Sequence, residues 1–440
     1  MKLNRQMSIF LKKNLTRTNI IKGSCVLVVI GVLIYLIVIV KKNQENYKNN
    51  HNHNHNHNHN HNHNNNHNHN HNEKETFKNG KYDSHKCDID MRKLKKDTLY
   101  EKVKNLDIVY MWVDGSDTKW QESMKSNVSS RNRSNNEIIY SLRSISKFIP
   151  WHEGRIFIVT PNQTPKGLNV IQGINEHTIR NAPKNSVIII DQKSIIPEKI
   201  GETMNSFMIE VFLHRIPTLS EDFIYMNDDY FMGKPIIPSD FYSLNNDNTL
   251  RPKFYSNNYK INGGIKQSDD FFKKKRKLWL SATYYTNGTL TNYFKEQNDR
   301  NNRRNNTNNE YKQSDRFYLE HAPYMFKKSW CEEVYKIWKS EFNKMHEHKR
   351  RHWYDLIFVL IYRYYCLESG KPCDLVKEPE NIFLKLITNN NEENVKFYEK
   401  VVNKCPKFFT LNDEYSKEFI KGDMTDFMEE FYNEKGRFEN

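Results

Sequence analysis

Short apolar runs alternate with amphipathic stretches over residues 106–235. The apolar runs predict buried strands, at Ile108–Val113, Arg155–Thr160, Ser186–Asp191 and from Phe223 to Asn227. The amphipathic stretches have apolar residues at helical spacing and are each followed by a proline; they are Glu137–Phe148 and Met204–Ile216. This order of strands and helices predicts βαβ units and a mostly parallel sheet, and therefore an α/β fold.

The C-terminal part of the chain is predicted to be mainly helical. Trp353–Leu367 is almost wholly apolar and aromatic, which predicts a buried helix; Asp355 and Arg363 interrupt it too early for a membrane span. The other predicted elements are an amphipathic helix at Ser329–Phe342, a short strand or turn at Phe408–Glu414 and a last helix at Asp423–Tyr432. Two Asn-rich stretches are predicted to be irregular loops, near 243–262 and 286–315.

An uncharged apolar stretch near the N-terminus predicts a membrane anchor. Gly23–Val40 has eighteen residues without a charge, and residues 20–21 extend it, which is long enough to span a bilayer as a helix. Residues 1–50 contain nine Lys and Arg against one Glu, so over half of the net charge of +15 flanks this stretch. Membrane topology explains that charge better than nucleic-acid binding does. A cleaved signal peptide is the alternative, and Lys41 and Lys42 disfavour it.

We therefore expect a cytoplasmic tail at 1–19, an anchor at 20–40, a low-complexity stem at 41–104 and a lumenal catalytic domain at 105–440. Within the stem, residues 51–72 alternate His and Asn almost perfectly and include no apolar residue, so they cannot build a core. Because imidazole is a good ligand for zinc or nickel, a metal-binding tract is one interpretation. A spacer with incidental metal affinity is the other.

Cysteines and glycosylation acceptors are consistent with a secretory compartment. Five of the six cysteines follow the anchor, without CxxC or Cys/His metal spacing: Cys87, Cys331, Cys366, Cys373 and Cys405. We expect one or two disulfides, and the odd count leaves a thiol over. The acceptor pattern of a glycoprotein occurs at Asn127, Asn132, Asn162, Asn287 and Asn305, although a chain so rich in Asn produces some by chance.

Acidic and amide residues follow two of the predicted strands. Asp114 and Asp117 come after the first strand, and Asn227, Asp228 and Asp229 end the fourth. Open α/β sheets bind ligands at the carboxyl ends of their strands, so paired carboxylates at this edge predict metal and substrate chemistry. Turn formation is the alternative for Asp114 and Asp117, since the segment Asp-Gly-Ser suits a turn well.

Two groups of basic residues can each be interpreted either as functional or as merely structural. His214 and Arg215 lie in the last turn of a predicted helix, where cations interact favourably with the helix dipole, so capping competes with a functional role. The cluster Lys273–Lys277 would attract phosphates, but such a run is also typical of a solvated surface.

Four separate blocks resemble the conserved regions of the Stealth family of sugar-phosphate transferases. The first is LDIVYMWVDGSDTKWQ at 106–121, and the second, at 136–235, includes IIYSLRSISKFIPW, RIFIVTPNQ and MNSFMIEVFLHRIPTLSEDFIYMNDDYFMGKP. The third runs from His321-Ala-Pro323 through Arg351, and the fourth is Thr410-Leu-Asn-Asp-Glu414. The blocks occur in the order typical of the family, which includes bacterial capsule polymerases and the GlcNAc-1-phosphotransferase that tags lysosomal enzymes.

The resemblance implies a Rossmann-like catalytic domain that transfers a hexose-1-phosphate, with GlcNAc as the expected sugar. The donor would be a UDP-sugar, the acceptor a hydroxyl of a glycan, polysaccharide or glycoprotein, and the released product UMP. It also implies a divalent cation, Mg²⁺ or Mn²⁺. Carried over by motif, the implied catalytic residues are Asp229, His321, Arg351 and Asp413, the substrate-binding residues Trp112, Asp114, Asn227 and Arg215, and the metal ligands Asp228, Asp229 and Asp413.

These residue types suit the implied chemistry. Carboxylate and amide oxygens suit Mg²⁺ or Mn²⁺, and Arg351 would fork onto a phosphoryl oxygen. Either Asp229 or His321 would accept the proton of the acceptor hydroxyl. A metal-dependent glycosyltransferase releasing UDP and a non-catalytic anchored surface protein are the alternatives. We expect a single-pass type II protein of the Golgi without nucleic-acid partners, and homo-oligomerisation stays open.

Overall fold

All the predicted strands are present in the computed structural model, which describes residues 81–88, 98–125, 133–262, 278–414 and 423–440. The described residues belong to one structural unit, 77–440. The strands are β1 Asp107–Met111, β2 Ile156–Thr160, β3 Val170–Gln172, β4 Val187–Asp191, β5 Asp222–Asn227, β6 Tyr230–Met232, β7 Tyr242–Leu244, β8 Leu250–Lys260, β9 Phe317–Leu319, β10 Tyr324–Lys327, β11 Asp374–Val376, β12 Ile382–Ile387 and β13 Phe408–Asp413.

The α-helices of the described residues are interspersed with these strands and are numbered in chain order. They are α1 Tyr100–Val103, α2 Thr118–Met124, α3 Glu137–Phe148, α4 Glu176–Arg180, α5 Gln192–Ile195, α6 Ser206–Glu210, α7 Pro238–Phe241, α8 Leu278–Asn305, α9 Lys328–Ile337, α10 Lys339–Lys344, α11 Phe358–Glu368, α12 Asn391–Lys404 and α13 Asp423–Phe431. Short 3-10 turns occur at Ser84–Cys87, Leu213–Arg215 and Met345–Glu347.

The central sheet has six strands in the order β10-β5-β1-β2-β4-β3. Its first five strands in chain order are parallel, and β10 pairs antiparallel with β5 at one edge. The predicted α/β fold with a mostly parallel sheet is therefore confirmed. The strands are rich in Ile and Val because helices cover both faces of a parallel sheet, which leaves no polar face.

Alternate residues of these strands enter two separate cores. In β1, Ile108 and Tyr110 face one core, whereas Val109 faces the other. Helix α3 covers the first face through Leu142 and its apolar neighbours. Helices α6, α9 and α11 cover the second face, where Ile361 of α11 is fully buried. The sheet is thus the middle of three layers, and its strand ends are the part left open for a site.

The C-terminal part is less helical than predicted. It adds β12 and β13, which pair in parallel, and β13 also pairs antiparallel with β6 to give a three-stranded sheet. A second small sheet has the order β11-β8-β7, with β9 pairing β8. The prediction of a mainly helical C-terminal part was therefore wrong for β11 and β12, because Asp374–Val376 pairs with β8 and Ile382–Ile387 pairs with β13. It holds for α12, which lies between β12 and β13.

The two predicted Asn-rich loops are largely regular structure. Strand β8 fills residues 250–260, and helix α8 includes residues 286–305. The side chain of Asn287 explains part of the error, since it is buried in the helix and accepts a hydrogen bond of 2.9 Å from Arg316. Packing against Arg316 thus overrides the weak helix propensity of Asn. The same burial makes Asn287 unsuitable as a glycosylation acceptor.

Two predicted helices are shorter than expected. The helix expected at Met204–Ile216 is reduced to α6 and a 3-10 turn, because Phe212 leaves the α-helical conformation with φ −110° and ψ 2°. The helix expected at Trp353–Leu367 begins only at Phe358. The buried carboxylate of Asp355 accepts the backbone N–H of His352 at 2.7 Å and thereby stabilises a turn before α11.

The folded unit begins before position 105. Cys87 forms a disulfide with Cys405, and the Tyr82 ring packs on Phe427 of α13, so part of the predicted stem belongs to the domain. The remaining described cysteines, Cys331, Cys366 and Cys373, are buried thiols. Among the described residues, no helix is long and apolar enough to cross a membrane. The predicted tail, anchor, His/Asn tract and Lys273–Lys277 cluster lie outside the described residues.

Candidate active site

The order of the strands places a crevice between the carboxyl ends of β1 and β5. After β1 the chain builds β2, β3 and β4 on one side, and then returns to place β5 on the other side of β1. Met111 at the end of β1 pairs with Asn227 at the end of β5. Reversals of this kind are the topological switch points at which open α/β sheets bind ligands. Trp112 and Asp228 thus leave neighbouring strands at this edge.

Asp228 and Asp229 form the tight turn between β5 and β6, and their environment favours the protonated carboxyl. Burial is the largest cause that raises the pKa of Asp228 well above its usual range, followed by the charges of Asp229 and Glu137. Burial and the charge of Glu137 raise the pKa of Asp229 to about 7, against which the charge of Arg351 acts. Acidic side chains crowded in this way release their mutual repulsion when a cation joins them.

Asp413 reaches the same place through the pairing of β13 with β6. Thr410 pairs with Tyr230, so continuing this antiparallel register carries Asp413 back alongside the Asp228–Asp229 turn. Arg133 binds both oxygens of the buried Asp413 carboxylate. This bidentate salt bridge occupies the carboxylate that the family resemblance implied as a metal ligand.

Glu137 is a member of this group that the sequence did not reveal. It is the first residue of α3, and its carboxylate accepts hydrogen bonds from the backbone N–H and side chain of Asn135 at 2.6 and 2.7 Å. The same Asn135 amide reaches Asp413 at 3.3 Å. Burial and the charge of Asp413 raise the pKa of Glu137. An acid at the first turn of an amphipathic helix looks like ordinary capping, which is why sequence reasoning missed it.

His321 lies just before β10 and is uncharged at neutral pH. Burial and the charge of Arg351 lower its pKa to about 4. Its ring lies edge-on to the Tyr230 ring, with 6.1 Å between centroids, and its backbone carbonyl accepts a hydrogen bond from Thr410. The structure therefore brings His321 to β6 and β13, beside the acidic turn, in the form that can accept a proton.

Arg351 supplies the positive charge of the site. Its Nε donates a hydrogen bond of 2.8 Å to the hydroxyl of Ser206, and its guanidinium lies 4.6 Å from the centre of the Phe207 ring. The charge of Arg351 acts on Asp229 and His321, and also on Glu210, whose pKa burial raises to about 7. The neighbouring Arg350 is exposed.

Tyr225 connects Glu210 to the end of β5. Its hydroxyl lies 3.2 Å from Glu210 and 2.7 Å from the side-chain oxygen of Asn227. Asn227 therefore faces a fixed hydrogen-bond network rather than solvent alone. Glu210, like Glu137, was missed because a single acid on the polar side of a predicted helix carries no distinctive signal.

The remaining predicted residues differ in what surrounds them. Trp112 is buried, and its indole N–H has no hydrogen-bond partner among the described residues, which leaves a donor at the crevice. Asp114 accepts hydrogen bonds from Ser116 within its turn, and Asp117 caps α2. Both residues therefore stabilise the local turn, which was the alternative to a functional role. Arg215 lies over the rings of Phe212 and Tyr335 and is accounted for by packing.

Two groups in the described part of the chain have the chemistry to bind a cation. Asn227, Asp228, Asp229 and Glu137 offer only oxygen atoms, and burial together with the charges of neighbouring acids raises the pKa of each of the three carboxyl groups. Such a donor set fits Mg²⁺ or Mn²⁺. The second group, His348, His352 and Asp355, offers nitrogen and oxygen, with all ligand atoms within 4.8 Å of one another.

Family models match the chain in three consecutive conserved regions. Stealth protein CR1, conserved region 1, matches residues 104–130; CR2 matches 131–250 and CR3 matches 320–368. This chain belongs to the Stealth family. The three regions bring Trp112 and Asp114, Asp228 and Asp229, and His321 and Arg351 respectively to the crevice described above. The fourth block, Thr410–Glu414, stays a prediction.

Curated relatives of this Stealth chain are named phosphotransferases. Capsular polysaccharide phosphotransferase LcbA of Neisseria meningitidis is 38% identical over 152 residues, covering 32% of this chain and 38% of the relative. Capsular polysaccharide phosphotransferase fcs1 of Haemophilus influenzae is 40% identical over 154 residues, covering 32% and 38%. The Stealth chain thus spans about two fifths of the length of these relatives.

One solved structure with weak similarity to the chain is a galactosyltransferase, LgtC, in complex with donor and acceptor sugar analogs. It is 9% identical, with a TM-score of 0.35, and the match covers 74% of the Stealth chain and 95% of that chain. A likeness at this level supports no statement about the activity of the Stealth chain.

Proposed function

We propose that this chain transfers a hexose-1-phosphate from a UDP-sugar to a hydroxyl of a glycan or glycoprotein and releases UMP. The observation that carries the proposal is the meeting of the Asp228–Asp229 turn, a neutral His321 and Arg351 at the strand-end crevice. The family and the names of the curated relatives favour phosphotransfer among the reactions that such a crevice supports. The donor we propose is UDP-GlcNAc.

The acidic turn would bind the cation. Asp228 and Asp229, with Asn227 and Glu137 beside them, provide the oxygen atoms, while Asp413 is engaged by Arg133 and orients Asn135. A bound Mg²⁺ or Mn²⁺ would supply charge neutralisation for the donor pyrophosphate. The indole N–H of Trp112, which has no hydrogen-bond partner among the described residues, would donate to the nucleotide sugar.

His321 and Arg351 would act on the acceptor and on the transferred phosphoryl group. The acceptor oxygen forms a bond to the phosphorus that carries the sugar, and the bond from that phosphorus to the bridging oxygen breaks, so that UMP leaves with the electron pair. His321 accepts the hydroxyl proton, because its lowered pKa keeps the imidazole unprotonated at neutral pH. Arg351 stabilises the charge on the phosphoryl oxygens.

The reaction would take place in the lumen of the Golgi. The apolar stretch at 20–40, which has no charge from Gly23 to Val40, and its basic flanks favour a type II anchor. The Cys87–Cys405 disulfide is consistent with an oxidising compartment. The membrane is then a partner through the anchor alone.

Product analysis tests the reaction. The full chain in detergent is incubated with UDP-GlcNAc, MnCl₂ and a mixture of methyl glycosides, and the products are identified by mass spectrometry. UMP together with a phosphodiester-linked glycoside supports the proposal. UDP together with a glycoside that lacks phosphate would overturn it in favour of a glycosyltransferase. Neither product, with no calorimetric binding of UDP-GlcNAc, would overturn it in favour of a non-catalytic surface protein.

A further inference from the structure

We propose that His348, His352 and Asp355 form a binding site for a divalent transition metal of the zinc class. All three offer a ligand atom within 4.8 Å of the others. The Nδ1 atom of His348 lies 2.5 Å from Asp355 Oδ1, and the rings of His348 and His352 have centroids 4.2 Å apart. This site is distinct from the all-oxygen group at the Asp228–Asp229 turn.

The donor set selects the class of metal. Two imidazoles and one carboxylate bind zinc at about 2.0–2.2 Å, whereas magnesium and calcium prefer oxygen ligands alone. Three protein ligands leave a fourth position for water or another small ligand. His352 Nδ1 now accepts a hydrogen bond from the Tyr354 N–H at 3.3 Å, a long contact that a bond to zinc would replace.

Surrounding groups already orient the carboxylate. Asp355 is fully buried, and its Oδ2 accepts hydrogen bonds of 2.7 Å from both the Asn205 side chain and the His352 N–H. These two bonds leave Oδ1 directed at His348. The two histidines are half-buried, so a metal ion can reach them from solvent. Outer hydrogen bonds that fix a ligand in this way are typical of metal sites.

The site would brace the loop that carries Arg351. His348 precedes Arg351 by three residues, and His352 and Asp355 follow it, so one ion would connect both sides of the arginine. Asn205, which binds Asp355, is next to Ser206, which binds Arg351. The metal would therefore have a positioning role. Its binding is independent of which reaction the crevice performs.

Thermal unfolding of the full chain with and without ZnCl₂ tests the site. We expect zinc to raise the Tm of the wild type by several degrees, because a ligand that binds the folded state stabilises it. His352→Ala keeps the His348–Asp355 contact and should lose most of that shift. Its zinc affinity should be weaker by at least roughly 10–100-fold, the loss that follows removal of a group that merely orients a ligand. Zinc content should fall by one equivalent per chain in this variant. Since every variant retains residues 51–72, metal bound by that tract is common to all.

His346→Ala is the matched control. His346 lies two residues before the group, is half-buried and takes no part in it. Its variant should keep the full zinc-induced shift. A wild type whose Tm does not respond to zinc would overturn the proposal and leave His348 and Asp355 as a hydrogen-bonded pair only. An equal shift in wild type and His352→Ala would overturn it as well.

Discussion

Arg351 donates hydrogen bonds through Nε and Nη2 to the hydroxyl of Ser206, a residue 145 positions earlier in the chain. Ser206 begins the helix α6 on which the Phe207 ring also packs against the guanidinium. The contact joins the second and third conserved regions. It fixes the guanidinium of Arg351 where its charge acts on the Asp228–Asp229 turn. No pattern along the sequence predicts this contact.

Replacing Arg351 by Lys should lower kcat/KM by roughly 10²–10³-fold. Lysine keeps the charge but loses the planar fork that can bind Ser206 and a phosphoryl oxygen together, and arginines in this role are worth about 10³–10⁵ in rate. Initial-rate measurement of UMP release checks this. Arg350→Lys, at the exposed neighbouring position, is the control and should be close to wild type. Equal losses in both variants would count against the assignment of Arg351.

Asp229→Asn should reduce turnover at least about 100-fold while the fold stays intact. The amide cannot supply the charge that a cation requires at the β5–β6 turn. Circular dichroism and UMP release would be measured together. Asp191→Asn is the matched control for Asp229→Asn, because Asp191 also ends a parallel strand but lies two strands from the crevice. Asp191 caps α5, and Asn can cap a helix equally well. An active Asp229→Asn protein would remove Asp229 from the site.

Glu137→Gln should raise the concentration of Mn²⁺ needed for half-maximal activity by roughly 10-fold. The variant removes one negative charge from the group that raises the pKa of Asp228 and Asp229, while a side chain of the same shape remains. Titration of activity with MnCl₂ measures the change. Glu414→Gln is the comparison, since Glu414 is exposed and follows Asp413 directly. An unchanged Mn²⁺ requirement in Glu137→Gln would show that Glu137 acts only on folding.

Stability should fall as pH drops from 7 to 5, in part because of His152. Burial lowers its pKa to about 4 in the folded chain, whereas the unfolded chain takes up the proton below about 6.5. The contribution of neutral His152 to the free energy of unfolding is therefore full above pH 6.5 and is lost between pH 6.5 and about 4. The loss between pH 7 and 5 is about 2 kcal/mol. Urea unfolding of His152→Gln should show a correspondingly flatter dependence, whereas exposed His177→Gln should match wild type. Identical pH dependence in wild type and His152→Gln would exclude this effect.

Removing the Cys87–Cys405 disulfide should destabilise the domain by about 2–5 kcal/mol. The bond closes a loop of 318 residues and fixes the segment 81–88 to the C-terminal elements. Cys405→Ser and the double variant Cys87→Ser, Cys405→Ser should lose similar amounts in urea unfolding. Dithiothreitol should then lower the stability of wild type only. A reductant effect that persists in the double variant would point to another bond.

Several elements followed directly from the sequence. The strands β1, β2, β4 and β5 and the helix α3 occur where apolar spacing predicted them, since short buried runs between turns have few other ways to satisfy the backbone. The helix α8 did not, because its Asn-rich residues are weak helix formers, and the buried pair Asn287–Arg316 is a tertiary contact. Glu137 was invisible for the same reason: its partners Asn135 and Asp413 meet only in the folded chain.

The sequence by itself determined the parallel α/β architecture, the acidic segment Asn227-Asp228-Asp229 at a strand end and membership of the family. Each of these depends on apolar periodicity or on a local motif, and both are properties of neighbouring residues in the chain. Only the tertiary structure decided which distant charges act together. The register of β13 against β6 brings Asp413 to Asp228, and the Ser206 contact brings Arg351 to Asp229. Strand register and loop docking depend on packing between segments up to hundreds of residues apart, so no local pattern specifies them.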